Sequence, residues 1–332
     1  MNNSSGLLVA CFRRALRRAA WILMTDADTY MPESLDEVAA LLLAADGPAS
    51  PVVTGTRFLA QAGGPAGPTS IVVDMGRVPE MNRVEFDERN GLLIGAAVSL
   101  ADPLRFPPVQ HAYAILVDGG HPAGLDESVA AGTLGECLSN QAAGADLALP
   151  LICLGASVAI FGPHGWSEMA VEALCARPTG TTLQRGEFIV DVRLPAPSAR
   201  SGGAYVRAGL GGPPGGSVGV ASFLVMQEDL QICCGARLAI RVNAAQPSRV
   251  PDAERFLQGR RLDDLSVEAA GDLTAECSWL PGPCPSLAAL PDVLKAITCQ
   301  AIRRALDRSR PRAAARGAHD RPHGPKKSAE SA

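Results

Sequence analysis

The sequence predicts an α+β fold, in which strands and helices occupy separate stretches of the chain instead of alternating regularly. Three observations support this prediction. A short strand pattern covers residues 71–74, and two apolar runs then flank Asn90-Gly91, a strong short-range signal for a β-hairpin. A capping-box pattern that begins at Ser99 follows and indicates the start of a helix. Strand, hairpin and helix in this order are typical of α+β proteins.

The clearest single helix lies near the start of the chain. Ser34-Leu35-Asp36-Glu37 is a capping box, and apolar residues then recur at helical spacing until Gly47 ends the run. Residues 51–53 follow as a short strand. Residues 1–26 are interpreted as an N-terminal extension that is disordered or lies upstream of a true start at Met24.

The middle of the chain predicts a buried helix at residues 147–154 and then a second hairpin. The tip of this hairpin is Gly162-Pro163-His164-Gly165, and His164 is expected to be exposed. Residues 188–194 form a strand, and the Pro/Ser/Gly-rich residues 195–203 indicate a linker. The last third predicts two strands, at residues 218–226 and 232–242, and two helices, at residues 252–257 and 294–306. Residues 307–332 contain too few large apolar side chains to form a core and are predicted to be a disordered tail.

Composition excludes several classes of protein. With 332 residues, 47% apolar and 19% charged, the chain can bury a core and form two or three domains. The net charge of -4 argues against a nucleic-acid-binding protein. No apolar run approaches the roughly 18 residues of a membrane span. The nine cysteines show no C-x-x-C spacing, so we expect buried thiols, no metal site and a soluble, cytoplasmic protein.

Two glycine-threonine loops, at residues 52–56 and 132–136, are candidate halves of a phosphate-binding cradle. Glycine lets successive amide groups converge on an anion, and the threonine hydroxyl adds a donor. The segment at residues 186–192 follows the two loops and is a third signal that belongs to the same set. Neither a P-loop nor a G-x-G-x-x-G motif is present at a strand-to-helix turn, which disfavours the nucleotide-dependent enzymes that use them. The scattered histidines do not suggest a catalytic triad, and no catalytic residue is assigned.

Taken in order, short motifs over residues 27–306 resemble the FAD-binding medium subunit of molybdenum hydroxylases, the family of xanthine, aldehyde and carbon monoxide dehydrogenases. Each motif is common alone, and their order makes the resemblance fairly specific. Residues 30–37 resemble the family's Pro-x-Ser-Leu-x-Glu-Ala opening, and residues 132–137 resemble its Ala-Thr-Ile-Gly-Gly-Asn loop. The other matching segments are residues 52–56, 73–75, 93–98, 145–147, 182–187, 247–259 and 302–306.

The resemblance implies a two-subdomain PCMH-type FAD-binding fold followed by a C-terminal domain with a small antiparallel sheet and helices. The FAD-binding domain would cover residues 27–200, with subdomains at about 27–80 and 81–200. Residues 203–306 would form a domain like the C-terminal domain of the carbon monoxide dehydrogenase flavoprotein. Residues 307–332 would form the disordered tail.

The resemblance also implies an oxidoreductase subunit that carries FAD and transfers electrons. It would receive them from a [2Fe-2S] small subunit, whose electrons come from a molybdopterin-binding large subunit, and pass them to an external acceptor. The flavin would do the redox chemistry, and the protein would bind and tune it. The alternative is a flavin-free relative that serves as a structural subunit of the same kind of complex.

Residue by residue, the resemblance assigns the two loops to the pyrophosphate and ribityl chain of FAD. Asp146 would lie near the adenosine end, Phe188 and Ile189 would pack by the flavin ring, and Arg207 would lie close to the flavin. The loop residues so assigned are Val52, Val53, Thr54, Gly55, Thr56, Arg57, Phe58, Gly132, Thr133, Leu134, Gly135, Glu136 and Cys137.

Both loops depart from the family pattern. Thr54 replaces a glycine, at a cost of roughly 1–2 kcal/mol if the backbone is left-handed there. Glu136 and Cys137 replace the second glycine and the asparagine of the second loop. A carboxylate about 4 Å from a phosphate is opposed by about 4 kcal/mol at an effective dielectric constant of about 20. Two explanations stay open: Glu136 points outward, or Arg57, which replaces an acidic or amide residue, neutralises it. The second, an exchange of charges, is our hypothesis.

We predict that Glu136→Gly strengthens FAD binding, by up to about a thousandfold in Kd, because it removes a carboxylate next to the diphosphate. Arg57→Asp is expected to weaken binding because it removes the compensating cation. Flavin content after purification and titration with added FAD measure both effects. Unchanged binding in both variants would contradict the charge compensation.

Overall fold

The computed structural model describes twelve stretches of the chain. They are residues 29–44, 50–52, 72–99, 105–120, 133–139, 145–177, 183–184, 186–211, 216–228, 230–243, 245–277 and 289–310. The predicted N-terminal extension at residues 1–26 and the end of the first helix at Gly47 lie outside these stretches. So does most of the helix predicted from Ser99.

The first sheet is parallel and lies at the start of the described chain. Its strands are β1 (Thr29–Tyr30), β2 (Ser50–Val52) and β3 (Val72–Asp74), in the order β1-β3-β2. Helix α1 (Leu35–Ala44) connects β1 to β2. The Glu37 amide donates to Oγ of Ser34 at 3.3 Å, and the Glu37 carboxylate accepts from the Glu33 amide at 2.9 Å. The capping residues therefore start this helix as predicted, with Glu37 reaching one residue further back than in the standard box.

The second sheet is antiparallel and contains both predicted hairpins. Its strands, in the order β4-β5-β8-β6-β7, are β4 (Val84–Asp87), β5 (Gly91–Gly95), β6 (Ser157–Gly162), β7 (Gly165–Ala170) and β8 (Phe188–Leu194). Gly91 has φ +95°, and a Cβ there would clash with the carbonyl of Leu194 on the neighbouring strand. His164 is exposed at the tip of the second hairpin, as predicted.

Five short α-helices and one 3₁₀ helix (Pro79–Met81) accompany the second sheet within the described residues. The α-helices are α2 (Pro107–Ala112), α3 (Ala114–Gly119), α4 (Leu134–Ser139), α5 (Ala145–Leu154) and α6 (Val171–Cys175). Their apolar side chains share one core with the sheet and with helix α1. Helix α5 is the buried helix that the apolar run at residues 147–154 predicted.

The third sheet is antiparallel, in the order β12-β11-β10-β9, with the helices that follow it in the chain on one face and α3 and α5 on the other. Its strands are β9 (Ser201–Gly211), β10 (Gly216–Met226), β11 (Cys233–Val242) and β12 (Ser248–Arg249). The helices are α7 (Pro251–Leu257), α8 (Asp264–Ala275) and α9 (Leu290–Ser309). The antiparallel sheets and separate helices confirm the α+β prediction. Strands β9 and β12 and helix α8 were not predicted.

Helix α9 is longer than predicted. It ends at Ser309, so Asp307 and Arg308, which the sequence places in a disordered tail from residue 307, are helical. Close contact with strand β9 explains the extension, because a Cβ on Gly202 would clash with the backbone of the last helical turn at Ala305. Residues 311–332 lie outside the described residues.

Two hydrophobic cores meet near the linker that the sequence predicts. One core is built mainly from residues 35–194, and the other extends from Ala204 to Ala305.

Five of the seven described cysteines are buried, as expected, and Cys233 and Cys234 face opposite sides of β11, one buried and one exposed. No helix among the described residues is both long and apolar enough to cross a bilayer.

An ion pair between Asp118 and Arg308 connects the two cores. The carboxylate of Asp118, on α3, accepts from both terminal nitrogens of Arg308, on α9, at 2.5 and 2.9 Å. It also accepts from the Tyr205 amide at 3.1 Å, while Arg308 donates to the Gly203 carbonyl at 2.8 Å. The side chains are only 19% and 30% exposed, so solvent screens this pair less than a surface salt bridge.

We predict that Arg308→Gln lowers the free energy of unfolding by about 1–3 kcal/mol, because Asp118 is left with an unpaired, mostly buried charge. Chemical denaturation of the full chain measures the change. Arg304→Gln removes the same charge from an exposed position of the same helix and is the control. Equal effects of the two substitutions would contradict the role given to the ion pair.

Candidate functional site

The first predicted loop begins where a parallel strand ends. Val52 is the last residue of β2, in the first sheet. The remaining assigned residues of that loop, Val53, Thr54, Gly55, Thr56, Arg57 and Phe58, lie outside the described residues, as does Gly132 of the second loop. Ligands commonly bind beyond the carboxyl ends of parallel strands, so the position of Val52 suits a binding loop.

The second predicted loop is docked on the end of strand β5 by its own backbone. The Leu134 amide donates to the Val98 carbonyl at 3.2 Å, and the Gly135 amide donates to the Ala96 carbonyl at 2.9 Å. Thr133 is buried and forms an isolated antiparallel bridge with Ser99. The amides of Leu134 and Gly135 are therefore already used and are not donors for a phosphate in this structure.

Packing explains the residue types of this loop without a ligand. A Cβ on Gly135 would lie 2.8 Å from Cβ of Ala96, which is too close for an ordinary contact. The side chains of Leu134 and Cys137 are buried at 3% and 5% exposure and belong to the first core. Glu136 lies within α4, and its side chain is not among the described parts of the structure.

Phe188 and Ile189 begin strand β8 and face the protein interior. Their side chains are 1% and 3% exposed, and the Phe188 ring packs edge-on against Phe161 with centroids 6.0 Å apart. Neither side chain therefore presents a surface on which a flavin ring could stack. Strand β8 instead supports α4, which packs against it and against α5.

Asp146 and Arg207 form an ion pair across the two cores. Asp146 lies in the first turn of α5, and one terminal nitrogen of Arg207, on β9, is 3.0 Å from its carboxylate. The second terminal nitrogen of Arg207 donates to Oγ of Ser217 on β10 at 3.3 Å. Asp146 is 15% and Arg207 38% exposed, so both groups remain accessible to a ligand.

This contact bears on the roles expected from the resemblance. Asp146 was assigned to the adenosine end of FAD and Arg207 to the flavin end. In the structure the two charged groups lie 3.0 Å apart. The structure brings them together as a single carboxylate-guanidinium pair.

Two further residues, Tyr205 and Arg241, complete this cluster and were not predicted. Arg241 is 9% exposed and donates from Nε to the Ala245 carbonyl at 2.9 Å. Burial lowers the pKa of Arg241, and Asp146 partly offsets that effect. Burial, followed by the nearby Asp146 carboxylate, raises the pKa of Tyr205 well above its usual value. One sequence signal could have identified Arg241: it is a single charged residue in the otherwise apolar strand at residues 238–242.

The cluster has the chemistry to hold a ligand with phosphate and hydroxyl groups. Two guanidinium groups face one carboxylate, so the local formal charge is positive although the whole chain carries -4. A guanidinium binds phosphate oxygens in a fork geometry, and a carboxylate accepts hydrogen bonds from sugar hydroxyls. In this cluster, side chains therefore supply the hydrogen-bond donors for a phosphate that the amides of Leu134 and Gly135 do not.

We predict that Tyr205→Phe leaves the free energy of unfolding at neutral pH unchanged or slightly raised. The buried Tyr205 hydroxyl lies near the Asp146 carboxylate but makes no hydrogen bond of normal geometry within the described residues. Tyr113→Phe is the matched comparison. It should cost about 1 kcal/mol, since the Tyr113 hydroxyl donates to the Pro195 carbonyl at 2.9 Å.

The alkaline pH dependence separates the two tyrosines further. Burial raises the pKa of Tyr113 to about 12 and raises that of Tyr205 as well, so both hold their protons more tightly in the folded state. Stability is therefore intact below about pH 10 and falls above it, by about 1.4 kcal/mol per pH unit for each tyrosine. Tyr205→Phe should remove one such contribution from denaturation curves. An unchanged slope would contradict the burial of this hydroxyl.

Comparisons with known proteins agree with the resemblance read from the sequence. Residues 25–197 match the family described as the FAD binding domain in molybdopterin dehydrogenase. The chain is 28% identical over 210 residues to the nicotine 6-hydroxylase medium subunit of Paenarthrobacter nicotinovorans, covering 62% of this chain and 71% of the relative. It is 27% identical over 186 residues to the carbon monoxide dehydrogenase medium chain of Afipia carboxidovorans, covering 55% and 62%.

A solved structure extends the likeness to the C-terminal part. Quinoline 2-oxidoreductase from Pseudomonas putida 86 contains a chain that superposes with a TM-score of 0.71 at 24% identity, covering 87% of this chain and 99% of that one. This likeness shows a shared fold beyond the family match. With a family match over more than half of its length, the chain belongs to the FAD-binding domain family of molybdopterin dehydrogenases, whose cofactor is FAD.

Proposed function

We propose that this protein is the electron-transfer subunit of a molybdenum hydroxylase complex. It would take electrons from a [2Fe-2S] small subunit, pass them to an external acceptor, and act in the cytoplasm. The relatives named as medium subunits support this proposal, because a medium subunit implies larger and smaller partners. The single observation that carries it is the family match over residues 25–197.

We further propose that FAD is held between the two cores that meet at Asp146 and Arg207. The loops at residues 52–58 and 132–137 would border it, within a FAD-binding domain at residues 27–200. The C-terminal domain, at residues 203–306, would contribute Arg207. The ion pair supports this arrangement, because it joins an acceptor on α5 to a donor on β9, and we infer that the two side chains form one subsite.

Within that subsite the two side chains have distinct tasks. Asp146 accepts hydrogen bonds from the hydroxyls of the adenosine ribose, a role that a carboxylate fills in other dinucleotide sites. Arg207 orients Asp146 and adds a positive charge near the diphosphate. Arg241 adds a second positive charge behind this pair.

Other residues support the site without touching the cofactor. Phe188, Ile189, Leu134 and Cys137 are core residues that fix β8 and α4. Bound FAD supplies the redox chemistry, and the protein binds it, orients it and sets the charge around it. This chain carries no substrate-hydroxylating centre in the proposal, since the molybdopterin subunit would provide it.

The function is tested by purifying the full chain with its expected partners. We expect a yellow protein with flavin absorbance that co-purifies with a molybdopterin-binding subunit and a [2Fe-2S] subunit. Reduction of its flavin should require the [2Fe-2S] subunit. A chain that assembles with both partners but neither contains nor binds FAD would overturn the electron-transfer role and leave a structural one.

The subsite is tested by Asp146→Ala, which should weaken FAD binding roughly 10–100-fold because charged hydrogen bonds to the ribose are lost. Binding of FMN should not change, because FMN lacks the adenosine ribose. Titration by flavin fluorescence measures both. Glu168→Ala removes an exposed carboxylate paired with Arg193 and is the control. Equal losses for FAD and FMN would show a structural effect rather than ribose recognition.

A further inference from the structure

A cavity lies at the opposite end of helix α5 from the FAD subsite. It encloses about 270 Å³ between the C-terminal end of α5 and strands β10, β11 and β12. Six of its eight lining residues are partly exposed, so it is accessible from solvent. The residues that matter below are Leu154, Phe223, Val225, Gly235, Arg237 and Arg249.

The two arginines of the cavity differ in their partners. Arg249 is bound by carboxylates, because it donates to Glu254 at 2.5 and 2.9 Å and to Glu172 at 3.3 Å. The Arg237 side chain makes no ion pair or hydrogen bond within the described part of the chain. One guanidinium with all five of its N–H donors unused therefore borders the cavity.

Arg237 is not needed to complete the end of the helix. The Gly155 and Ala156 amides donate to the Ile152 and Leu151 carbonyls at 3.0 and 2.9 Å, so backbone groups already cap α5. Gly155 has φ +72°, and a Cβ there would overlap the Arg237 guanidinium. Glycine at position 155 thus leaves room for the Arg237 guanidinium. The guanidinium itself is not needed to cap α5.

The remaining walls are apolar or neutral. Leu154, Phe223 and Val225 supply hydrocarbon surface. The Cys153 thiol donates to the Ala221 carbonyl at 3.4 Å, and burial raises its pKa, so it stays protonated. The cavity therefore combines one unpaired positive group with an apolar wall.

We propose that this cavity binds a small organic monocarboxylate with an apolar body. A planar carboxylate matches the forked donors of Arg237, and the hydrocarbon part would lie against Phe223 and Val225. The volume is slightly below the about 300–1,000 Å³ typical of sites for drug-sized ligands, which suits a molecule of one ring. Inorganic phosphate offers the charge but nothing for the apolar wall.

Binding at this place would couple the two domains. Helix α5 belongs to the first core, whereas β10 and β11 form the sheet of the second. An occupant would contact both, so it would stabilise their association as well as each domain. This site is separate from the FAD subsite, and the inference does not rest on the proposed function.

The test compares three probes on the full chain, by calorimetric titration and by melting temperature. Benzoate carries both features, benzyl alcohol lacks the charge, and inorganic phosphate lacks the apolar body. We expect benzoate alone to bind and to raise the melting temperature by about 2–4 °C at about ten times its Kd. The proposal would be overturned if benzoate does not bind, or if benzyl alcohol or inorganic phosphate binds equally well. Flavin content, measured on the same samples, reports separately on the proposed function.

Three variants locate the site. Arg237→Gln should weaken benzoate binding at least about tenfold. Gly235→Leu should abolish it by filling the cavity, and the fold should tolerate it, because a Cβ at Gly235 meets only Val225, at 3.9 Å. Arg255→Gln, at an exposed position on α7, should bind normally. If Gly235→Leu folds and still binds benzoate, the site lies elsewhere and the proposal fails.

Discussion

The close packing of helix α5 against the third sheet is the constraint on which both sites depend. Ala221 and Ala239, which pair across β10 and β11, belong to the core that contains α5, and the Cys153 thiol reaches the Ala221 carbonyl. Small side chains let the helix approach the sheet closely. The arginines on this face of the sheet therefore lie near the helix ends. Larger residues in place of the alanines would move α5 away from all of them.

The two ends of α5 meet these arginines differently. At its first turn the helix dipole is positive and disfavours cations. The Asp146 carboxylate offsets this effect, because it pairs with Arg207 and attracts Arg241. At its last turn the dipole is negative and favours Arg237 without any carboxylate. One helix thus explains why the first cluster is compensated and the second guanidinium is left for a ligand.

Local sequence signals predicted the parts of the fold that are fixed by local chemistry. Turn residues identified both hairpins, and the capping residues identified α1. Strand β9 was missed because the glycines at its start are typical of a linker. Gly202 in fact lies where the backbone of α9 packs against the strand, and a side chain there would clash with it. Helix α8 was missed because Asp263 pairs with Ser266 instead of Glu or Gln in its capping box. The pairing of Asp146 with Arg207 depends on how the domains dock, which no local pattern contains. Gly135, which the resemblance assigns to the cofactor, also lets α4 pack closely against Ala96, and no local pattern contains that contact either.

The ion pair between Asp118 and Arg308 has a consequence for biosynthesis. Its partners are 190 positions apart, and the arginine lies in the last turn of the final described helix. At about 5–20 residues per second, the ribosome needs about 10–40 s to add the missing partner. During that interval the first domain exposes an uncompensated carboxylate and the bare surface around it. Nascent chains truncated before this turn would keep that surface exposed, where chaperones and proteases act.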